Sequence, residues 1–436
     1  MANLKKPSKN PKRIAVALSG GLDSVVLLHA VVHSYPNTSI YAFHIHHGLQ
    51  AGADRWLDFS EKYAQQLRVQ FDFRLLHLKS SSNIEAQARA ARYESLFDLC
   101  DQHSITDLLL AHHQNDQVET VLLQLLRGSG VAGLSAMPAQ REAISPQGLR
   151  IRVWRPLLEE SRDSLLAYAK KQRLKWVEDP SNLDMKYRRN AIRNDIVPKL
   201  VAIQPGALAN IARSARVLSE AQYLLNQLAE IHLKAIEKHE GLFISPLLQL
   251  KTKDTAAANN VLRYWLKKNN LAMPTQERLQ AWWADLEKIK TQSKANSQLV
   301  WHHDRNHIRL WRNRLRLVKP SSQSVDLDSN TVRGQWHFRP IPLASKQLGI
   351  PLVLYRQAVA NRTLEFRMRS GGERFKIKPK GPSRSLKNLY QECAVPPWQR
   401  HIPLLYLDGQ LLAVEGVGVS CDFLVNQGQR VWPHWE

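Results

Sequence analysis

A glycine-containing loop between a strand pattern and a helix pattern constrains the fold of this chain more than any other feature. The apolar run Ile14–Leu18 is typical of a buried strand, and the run that follows Asp23 and Ser24, VVLLHAVV, is typical of a buried helix. The loop itself consists of Ser19, Gly20, Gly21, Leu22, Asp23 and Ser24. Glycines let the backbone approach a ligand closely, and a helix N-terminus offers free N–H groups to an anion. The pattern predicts a phosphate-binding loop; an ordinary turn with Asp23 as N-cap is the alternative.

The loop differs from the G-x-x-x-x-G-K-[ST] motif, because no Lys follows the glycines and a carboxylate, Asp23, stands there instead. It resembles the SGGxDS loop of the N-type ATP pyrophosphatases, the PP-loop superfamily. Those enzymes hold the triphosphate of ATP, transfer AMP to a substrate oxygen and release pyrophosphate. The resemblance implies that Asp23 lies near Mg²⁺ and the phosphates, which suits a metal usually held by one or two carboxylates plus phosphate oxygens.

Strand and helix patterns alternate from Arg13 to about Leu200. The candidate strands are Ile14–Leu18, Ile40–Ile45, Phe71–Leu78, Leu108–Ala111 and Arg150–Trp154. The candidate helices are Ser24–His33, Asp54–Leu67, Ile84–His103, Asp116–Leu126 and Ser161–Gln172. This alternation predicts an α/β fold with a doubly wound, mostly parallel sheet. Ligands of such sheets bind beyond the carboxyl ends of the strands, so we expect the chemistry there.

The pattern changes after Pro198, where helices without strands are expected before a hairpin formed by Gln298–His302 and His307–Leu317. The expected helices are Ala207–Lys238, Thr255–Lys268 and Gln276–Lys290, with Trp282 and Trp283 in their core. A linker composition follows over Pro320–Thr331, and the remainder is rich in strand and turn patterns. We therefore expect a catalytic domain, a helical middle domain and a strand-rich C-terminal domain, at residues 1–204, 205–320 and 331–436.

Composition narrows the class of partner. The chain carries 61 Lys and Arg against 38 Asp and Glu, a net charge of +23, which favours a polyanion such as a nucleic acid, although an anionic membrane surface would also fit. The longest apolar runs are far shorter than the ~20 residues of a membrane helix. The N-terminal segment has no signal-peptide pattern, and the 3 cysteines form no CxxC. We expect a cytoplasmic protein with no membrane partner and no evident protein partner.

Two further segments offer candidate phosphate or metal contacts. Three histidines occur in HIHHGL, residues 44–49, but no acidic or cysteine residue stands at the spacing of a zinc site. In the segment that begins at Asn83, the side chains of Glu85, Arg89 and Arg92 share one helix face. That face is either a solvated salt-bridged surface or one from which an Arg reaches phosphate.

Two more segments carry acids and arginines. Asp116 and Glu119 follow the fourth strand on one helix face, close to His112; simple capping is the alternative, but the position at a strand's carboxyl end favours an active site. The segment 178–184, EDPSNLD, precedes RRNAIRN at residues 188–194. On its own this segment is a polar loop that enters a helix.

In this order the segments resemble bacterial tRNA(Ile)-lysidine synthetases, which carry SGGxDS, HxHHGLR, NxExxARxxRY, AHHxDDQxET and a D-x-S-N…RN-x-I-R stretch. The segment Arg369–Tyr406 also resembles the final domain of that family. Two residues depart from the family pattern. Asn115 replaces the first of two Asp residues, which argues against a two-carboxylate metal site there, and Gln50 replaces an Arg.

The resemblance implies an enzyme that uses ATP to join free L-lysine to carbon-2 of the wobble cytidine in the CAU anticodon of tRNA(Ile). An adenylated cytidine is the intermediate, AMP and pyrophosphate are released, and codon reading changes from AUG to AUA. Residues 19–24 would bind ATP, with Mg²⁺ at Asp23; Arg89 would offset phosphate charge; His112, Asp116 and Glu119 would surround lysine and the reacting base. The nearest alternative is a PP-loop tRNA thiolase, although the isolated cysteines do not favour sulfur delivery. A small-substrate adenylating synthetase and a catalytically silent tRNA-binding protein also remain open.

Basic residues concentrate in two segments far from the loop. Residues 362–387 carry nine Lys and Arg against two acids, and residues 302–319, up to Lys319, carry six against one. Arg312, Arg314 and Arg316 alternate, so we expect them to share one strand face. A solvated surface is the alternative to contacts with the tRNA backbone. The residues we expect to contact tRNA are Arg193, Arg312, Arg314, Arg369, Arg374, Lys376, Lys378, Arg384 and Lys387.

Overall fold

The computed structural model describes residues 11–46, 52–76, 84–178, 184–238, 241–291, 299–318 and 335–435. Several expected site residues lie outside this part of the chain, namely His47 to Gln50, Asn83, residues 179–183, Lys319 and the linker 320–331, and the side chain of Glu85 is also outside it. The chain forms two compact units that divide after Gln227. Among the described residues, no helix has the length and apolar character needed to span a bilayer.

The first unit is built on a six-stranded sheet. Its elements are β1 Arg13–Ala17, α1 Leu22–Ser34, β2 Ser39–His46, α2 Ala53–Gln66, β3 Gln70–Leu75, α3 Ile84–Gln102, β4 Asp107–Leu109, α4 Gln114–Leu126, α5 Val131–Leu134, β5 Gln140–Ile144, β6 Arg150–Trp154, α6 Arg162–Lys171, α7 Arg188–Ala191, a π-helical turn Ile192–Ile196, α8 Val197–Ile203 and α9 Ala207–Ile236, which continues into the second unit.

The sheet order is β3-β2-β1-β4-β6-β5, and every pair is parallel except β5 with β6. This confirms the predicted α/β fold with a mostly parallel sheet. The strand β5 is missing from the predicted strands because its sequence, QREAI, is polar and its residues are only partly buried or exposed. Alternate residues of β1 serve two cores: Ile14 and Val16 pack on one face, and Ala15 packs on the other.

The second unit contains two groups of elements. The first group is β7 Glu237–Lys238, β8 Gly241–Phe243, α10 Ile244–Lys253, α11 Thr255–Lys268, α12 Gln276–Thr291, β9 Val300–His303, β10 Asn306–Trp311 and β11 Arg314–Val318. Its strands form one sheet in the order β7-β8-β11-β10-β9. Trp282 and Trp283 are 3% and 4% exposed, which confirms that they are core residues.

Two expectations for this group are wrong. The region is not free of strands, because β7 and β8 precede α10, and α10 is itself missing from the predicted helices. The run His307–Leu317 is not one strand, because Arg312 and Asn313 form a turn with positive φ values of 47° and 64°. Arg312 therefore does not share a strand face with Arg314 and Arg316. The pattern alternates through the turn, so periodicity alone could not reveal it.

The second group of this unit is rich in short strands, as predicted. Its elements are β12 Trp336–Ile341, β13 Ile350–Pro351, α13 Leu352–Ala360, β14 Leu364–Arg367, β15 Arg374–Phe375, β16 Arg384–Ser385, α14 Leu386–Glu392, β17 Leu404–Leu407, β18 Gln410–Val414, β19 Gly418–Val419 and β20 Arg430–Trp435, with 3₁₀ turns at Pro397–Gln399 and Cys421–Phe423. These residues bury hydrophobic clusters of their own around Leu405 and Tyr390, separate from the tryptophan-rich core around Trp282.

Candidate active site

The loop after β1 leads into α1 without a side chain that caps the first N–H groups of the helix. Gly20 has a φ of +85°, a conformation that L side chains rarely adopt. The Ser24 hydroxyl accepts the N–H of Ser19 at 3.1 Å and donates to the carbonyl of Gly21 at 2.9 Å, so it closes the loop from inside. The N-cap of α1 is Gly21, without a side-chain cap hydrogen bond. The alternative of a turn capped by Asp23 is therefore wrong, since Asp23 lies in the first turn of α1.

A cavity lies at the carboxyl ends of β1 and β4. Its lining residues are Ala17, Leu18, Ser19, Asp23, Ser24, Phe43, Ile45, Arg92, Tyr93, Leu96, Leu110, Ala111 and His112. The structure thus brings the loop together with His112. The arginine of α3 on the cavity wall is Arg92, whereas Arg89, which we expected at the phosphates, is exposed. The two arginines are three residues apart on α3, and sequence spacing could not tell which one faces the cavity.

His113, which the sequence did not single out, connects the loop to the helix α4. It is the N-cap of α4: its Nδ1 accepts the N–H of Asn115 at 3.2 Å, and its own N–H donates to Asp116 Oδ2 at 3.0 Å. Its Nε2 lies 3.5 Å from Asp23 Oδ2 and 3.6 Å from Asp116 Oδ2. Burial lowers the pKa of His113, but Asp23, Asp116 and Glu119 outweigh burial and raise that pKa above its usual value. One imidazole therefore links the two carboxylates.

Glu119 is buried at 1% side-chain exposure and holds two arginines. Its Oε2 accepts from Arg189 Nε at 2.7 Å, and its Oε1 accepts from Arg193 Nε at 2.6 Å. Arg189 also reaches Asp116 Oδ1 at 3.3 Å. Arg193, which we expected to contact tRNA, thus lies against Glu119, on a π-helical turn of a kind often found at functional sites.

Asp116 is charged and His112 is neutral at the same site. Burial would raise the pKa of Asp116, yet His113 and Arg189 lower it, so this carboxylate is ionised at neutral pH. Burial, together with the charges of Arg155 and Arg92, lowers the pKa of His112 to about 3 against the opposing effect of Asp116. The His112 ring is therefore neutral, and its Nδ1 is buried without a hydrogen-bond partner in the described structure.

Comparison with known proteins assigns the chain. A PP-loop domain model matches residues 1–200, a TilS substrate binding domain model matches residues 246–316, and a TilS substrate C-terminal domain model matches residues 364–435. The tRNA(Ile)-lysidine synthase of Burkholderia pseudomallei is 35% identical over 93% of this chain and 89% of its own length. The chain belongs to the tRNA(Ile)-lysidine synthase family. The resemblance seen in the ordered motifs is confirmed.

Two other tRNA(Ile)-lysidine synthases also match over more than nine tenths of both chains. The chain is 37% identical to that of Coxiella burnetii, over 95% of this chain and 91% of the relative. It is 34% identical to that of Nitrosomonas europaea, over 98% of this chain and 92% of the relative. A solved U34-tRNA thiolase, NcsA of Methanococcus maripaludis, is 20% identical with a TM-score of 0.41 over 48% of this chain and 74% of its own, a likeness too weak to bear on function. The two TilS models favour a lysidine synthase over the thiolase alternative.

Asp23 in the loop could serve as a ligand of one magnesium ion. Asp23 Oδ1 is buried without a hydrogen-bond partner in the described structure, next to the loop. A carboxylate oxygen in that position suits Mg²⁺ bound mainly to phosphate oxygens. No group of three metal-ligating side chains occurs within the described part of the chain. The Oδ1 of Asn115 accepts the N–H of Arg162 at 3.1 Å, so this oxygen already has a hydrogen-bond donor.

In the second unit, some of the basic side chains expected to bind tRNA already contact other residues of the chain, and others are simply exposed. Arg314 stacks over Phe243 at 4.3 Å, Arg369 lies 3.6 Å from Glu373, and Lys376 lies 3.2 Å from Asp422. Arg312 donates to the backbone carbonyl of Gln391, and Arg374 donates to that of Ser383. Arg384 forms an ion pair with Glu392. Lys378 and Lys387 are exposed.

Proposed function

We propose that this chain uses ATP to join L-lysine to carbon-2 of the wobble cytidine in the CAU anticodon of tRNA(Ile). Family membership confirms the expected enzyme class, an ATP-dependent ligase that acts on tRNA. The observation that carries the proposal is the contact of His113 with both Asp23 of the loop and Asp116 of α4, inside a chain with both TilS domains. In this position a phosphate-binding loop and an ionised carboxylate can serve the two reaction steps in turn.

The first step makes a leaving group. The O2 of cytosine attacks the α-phosphate of ATP, and pyrophosphate departs. The free N–H groups at the start of α1 would hold the triphosphate, and Arg92, on the cavity wall, would stabilise negative charge in the transition state. Asp23 would hold Mg²⁺, which neutralises phosphate charge when bound.

The second step is displacement of AMP from carbon-2 by the lysine ε-amine. The amine has an ordinary pKa of about 10.4, so it arrives protonated and must lose a proton before attack. Because His113 and Arg189 lower the pKa of Asp116 against the effect of burial, Asp116 is a weak base. We therefore assign Asp116 to orienting the ammonium group. We assign Glu119 to positioning Arg189 and Arg193, because both of its oxygens accept from those guanidiniums.

Incorporation of radiolabelled L-lysine into tRNA tests the reaction. We expect ATP-dependent labelling of a tRNA(Ile) transcript with a CAU anticodon, and none when the wobble cytidine is replaced by uridine. Sulfur transfer, or lysine labelling without ATP, would contradict the proposal. Asp116→Asn should abolish lysine transfer while adenylated tRNA still forms; failure of the variant to form adenylated tRNA would refute the second-step role given to Asp116.

We propose further that the second unit binds the tRNA backbone and that the chain has three functional domains. The support is its basic surface, with Lys378 and Lys387 exposed, and the separate clusters around Trp282 and Leu405. Phosphate contacts release counterions, so tRNA affinity should fall steeply as salt rises. A flat salt dependence would contradict this assignment.

A further inference from the structure

Four guanidiniums surround Tyr93 on the wall of the cavity. Those of Arg89, Arg92 and Arg141 lie 5.8, 6.0 and 4.9 Å from the centroid of its ring, and that of Arg155 acts on its hydroxyl. Within the described residues, none of the four pairs with a carboxylate at ion-pair distance. Unpaired positive charge of this density at a cavity calls for an anionic ligand.

Arg155 and Tyr93 present unused hydrogen-bond donors. Arg155 is only 4% exposed, its Nη1 donates to the carbonyl of Pro138 at 2.8 Å, and its Nε is buried without a partner in the described structure. The hydroxyl oxygen of Tyr93 is likewise buried; its one neighbour of hydrogen-bonding character among the described residues is Arg155, itself a donor, so the O–H of Tyr93 is unused there. Burial would raise the pKa of Tyr93, but Arg155 and Arg89 lower it, so the hydroxyl is a stronger donor than an ordinary tyrosine. Two adjacent donors match the two oxygens of one carboxylate.

Opposite charges act on the neutral ring of His112. Asp116 supplies negative charge and Arg155 supplies positive charge, and both influence the pKa of that ring. A ligand that contacts His112 in the cavity would therefore lie near one negative and one positive side chain. Among the reactants of the proposed reaction, only free lysine carries both ammonium and carboxylate groups.

We propose that Arg155 and Tyr93 form a subsite for the α-carboxylate of L-lysine, while Asp116 orients an ammonium group of the same molecule. The inference rests on the proposed function. A phosphate shares the anionic chemistry, but the loop and α1 already provide for the triphosphate, and a phosphodiester in a tRNA chain is too constrained to reach a side chain that is 4% exposed. A free amino acid can enter the cavity that Tyr93 lines.

Comparison of lysine with 1,5-diaminopentane, which lacks the carboxylate, tests the subsite. For each compound kcat/KM is measured with tRNA and ATP saturating, or the inhibition constant against lysine if the diamine is not a substrate. Tyr93→Phe and Arg155→Gln should each lower the preference for lysine by about 10- to 100-fold, the worth of a charge-assisted hydrogen bond, mainly through KM. Tyr63→Phe is the control, because Tyr63 does not line the cavity and its buried hydroxyl donates to the Val25 carbonyl at 3.4 Å. This variant should leave the preference for lysine unchanged.

Formation of adenylated tRNA without lysine is measured for the same variants. An equal loss for lysine and for the diamine, or a rise in the KM for ATP or tRNA with the preference intact, would overturn the subsite. Tyr93→Phe removes one atom, so it remains informative if Arg155→Gln fails to fold. If the unmodified enzyme forms adenylated tRNA but never incorporates lysine, the proposed function itself fails, and that result is distinct from a failure of the subsite.

Discussion

Replacement of Glu119 by Gln should loosen the segment that carries Arg189 and Arg193 while leaving the sheet intact. The carboxylate accepts guanidinium N–H bonds at 2.6, 2.7 and 3.1 Å and is 1% exposed. The amide keeps one acceptor oxygen, but its NH₂ group faces a guanidinium that can only donate. The variant therefore loses the ionic character of all three bonds and places two donors in contact.

The magnitude follows from the burial of the three groups. Loss of one partner from a buried ion pair costs about 3–5 kcal/mol. The arginine side chains are 22% and 32% exposed and lie 3.3 and 3.6 Å from Asp116, which remains. Partial exposure and the remaining contacts place the expected cost at the lower limit, about 3 kcal/mol. At ~1.4 kcal/mol per factor of ten, the segment should open roughly 100-fold more often.

Hydrogen exchange followed by mass spectrometry measures this opening. In Glu119→Gln, peptides from residues 188–203 should exchange roughly 100-fold faster, while those of α6 keep their rate. The exposed Glu94 on α3 provides a matched control, because Glu94→Gln removes the same charge from the same unit without a buried partner. Unchanged exchange at residues 188–203, or equal acceleration throughout the unit, would refute the view that Glu119 anchors this segment.

Three further outcomes are expected. Gly20→Ala should weaken ATP binding and lower the melting temperature more than Gly148→Ala does. Both positions have positive φ values, 85° and 89°, but only at Gly20 would the new Cβ meet a side-chain hydroxyl, at 3.2 Å. Equal shifts in melting temperature would contradict this. The pKa of His112 is lowered from 6.5 to about 3 by burial, so the unfolded chain binds this proton first, and the related stability is complete above pH 6.5 and declines as pH falls toward 3. Urea unfolding at pH 7.5 and 5.5 should show a smaller loss in His112→Gln than in the unmodified protein, and equal losses would show that the ring is not held neutral. Lys378→Gln should weaken tRNA binding and reduce the slope of log affinity against log salt by about 0.9, whereas Lys267→Gln, at another exposed position, should not; equal slopes in filter-binding assays would remove Lys378 from the interface.

The catalytic fold is predictable because its information is local. A buried strand, two glycines and a buried helix determine the loop, and the repetition of that pattern indicates a parallel sheet. The missed elements lack such a signal. The strand β5 is polar because it lies at the sheet edge. The turn at Arg312 and Asn313 interrupts a run whose alternation continues on both sides.

The site is less predictable because its pairings join distant segments. The sequence places His112 and His113 side by side, and only the capping of α4 by His113 decides which ring reaches Asp23. Arg189 and Arg193 are four residues apart, a spacing that matches the three-residue spacing of Asp116 and Glu119 on α4. The sequence alone does not show that these two pairs meet, because Glu119 is 70 and 74 positions from Arg189 and Arg193.

The distribution of charge in the site bears on a conflict between the proposed substrates. ATP and tRNA are anions, and a protein with net charge +23 attracts both, but the same field would repel a lysine cation. Near the loop, Asp23, Asp116 and Glu119 lie against His113, Arg189 and Arg193, so that carboxylates are present where the general excess of charge is positive. Glu119 accepts from the two arginines at 2.7 and 2.6 Å, whereas Asp116 lies 3.3 and 3.6 Å from them, so Asp116 is the less tightly paired acid and the one we assign to an ammonium group. Lysine binding is therefore expected to depend on one carboxylate and to be far less sensitive to salt than tRNA binding, because the cavity is partly buried and screening acts mainly on exposed charges.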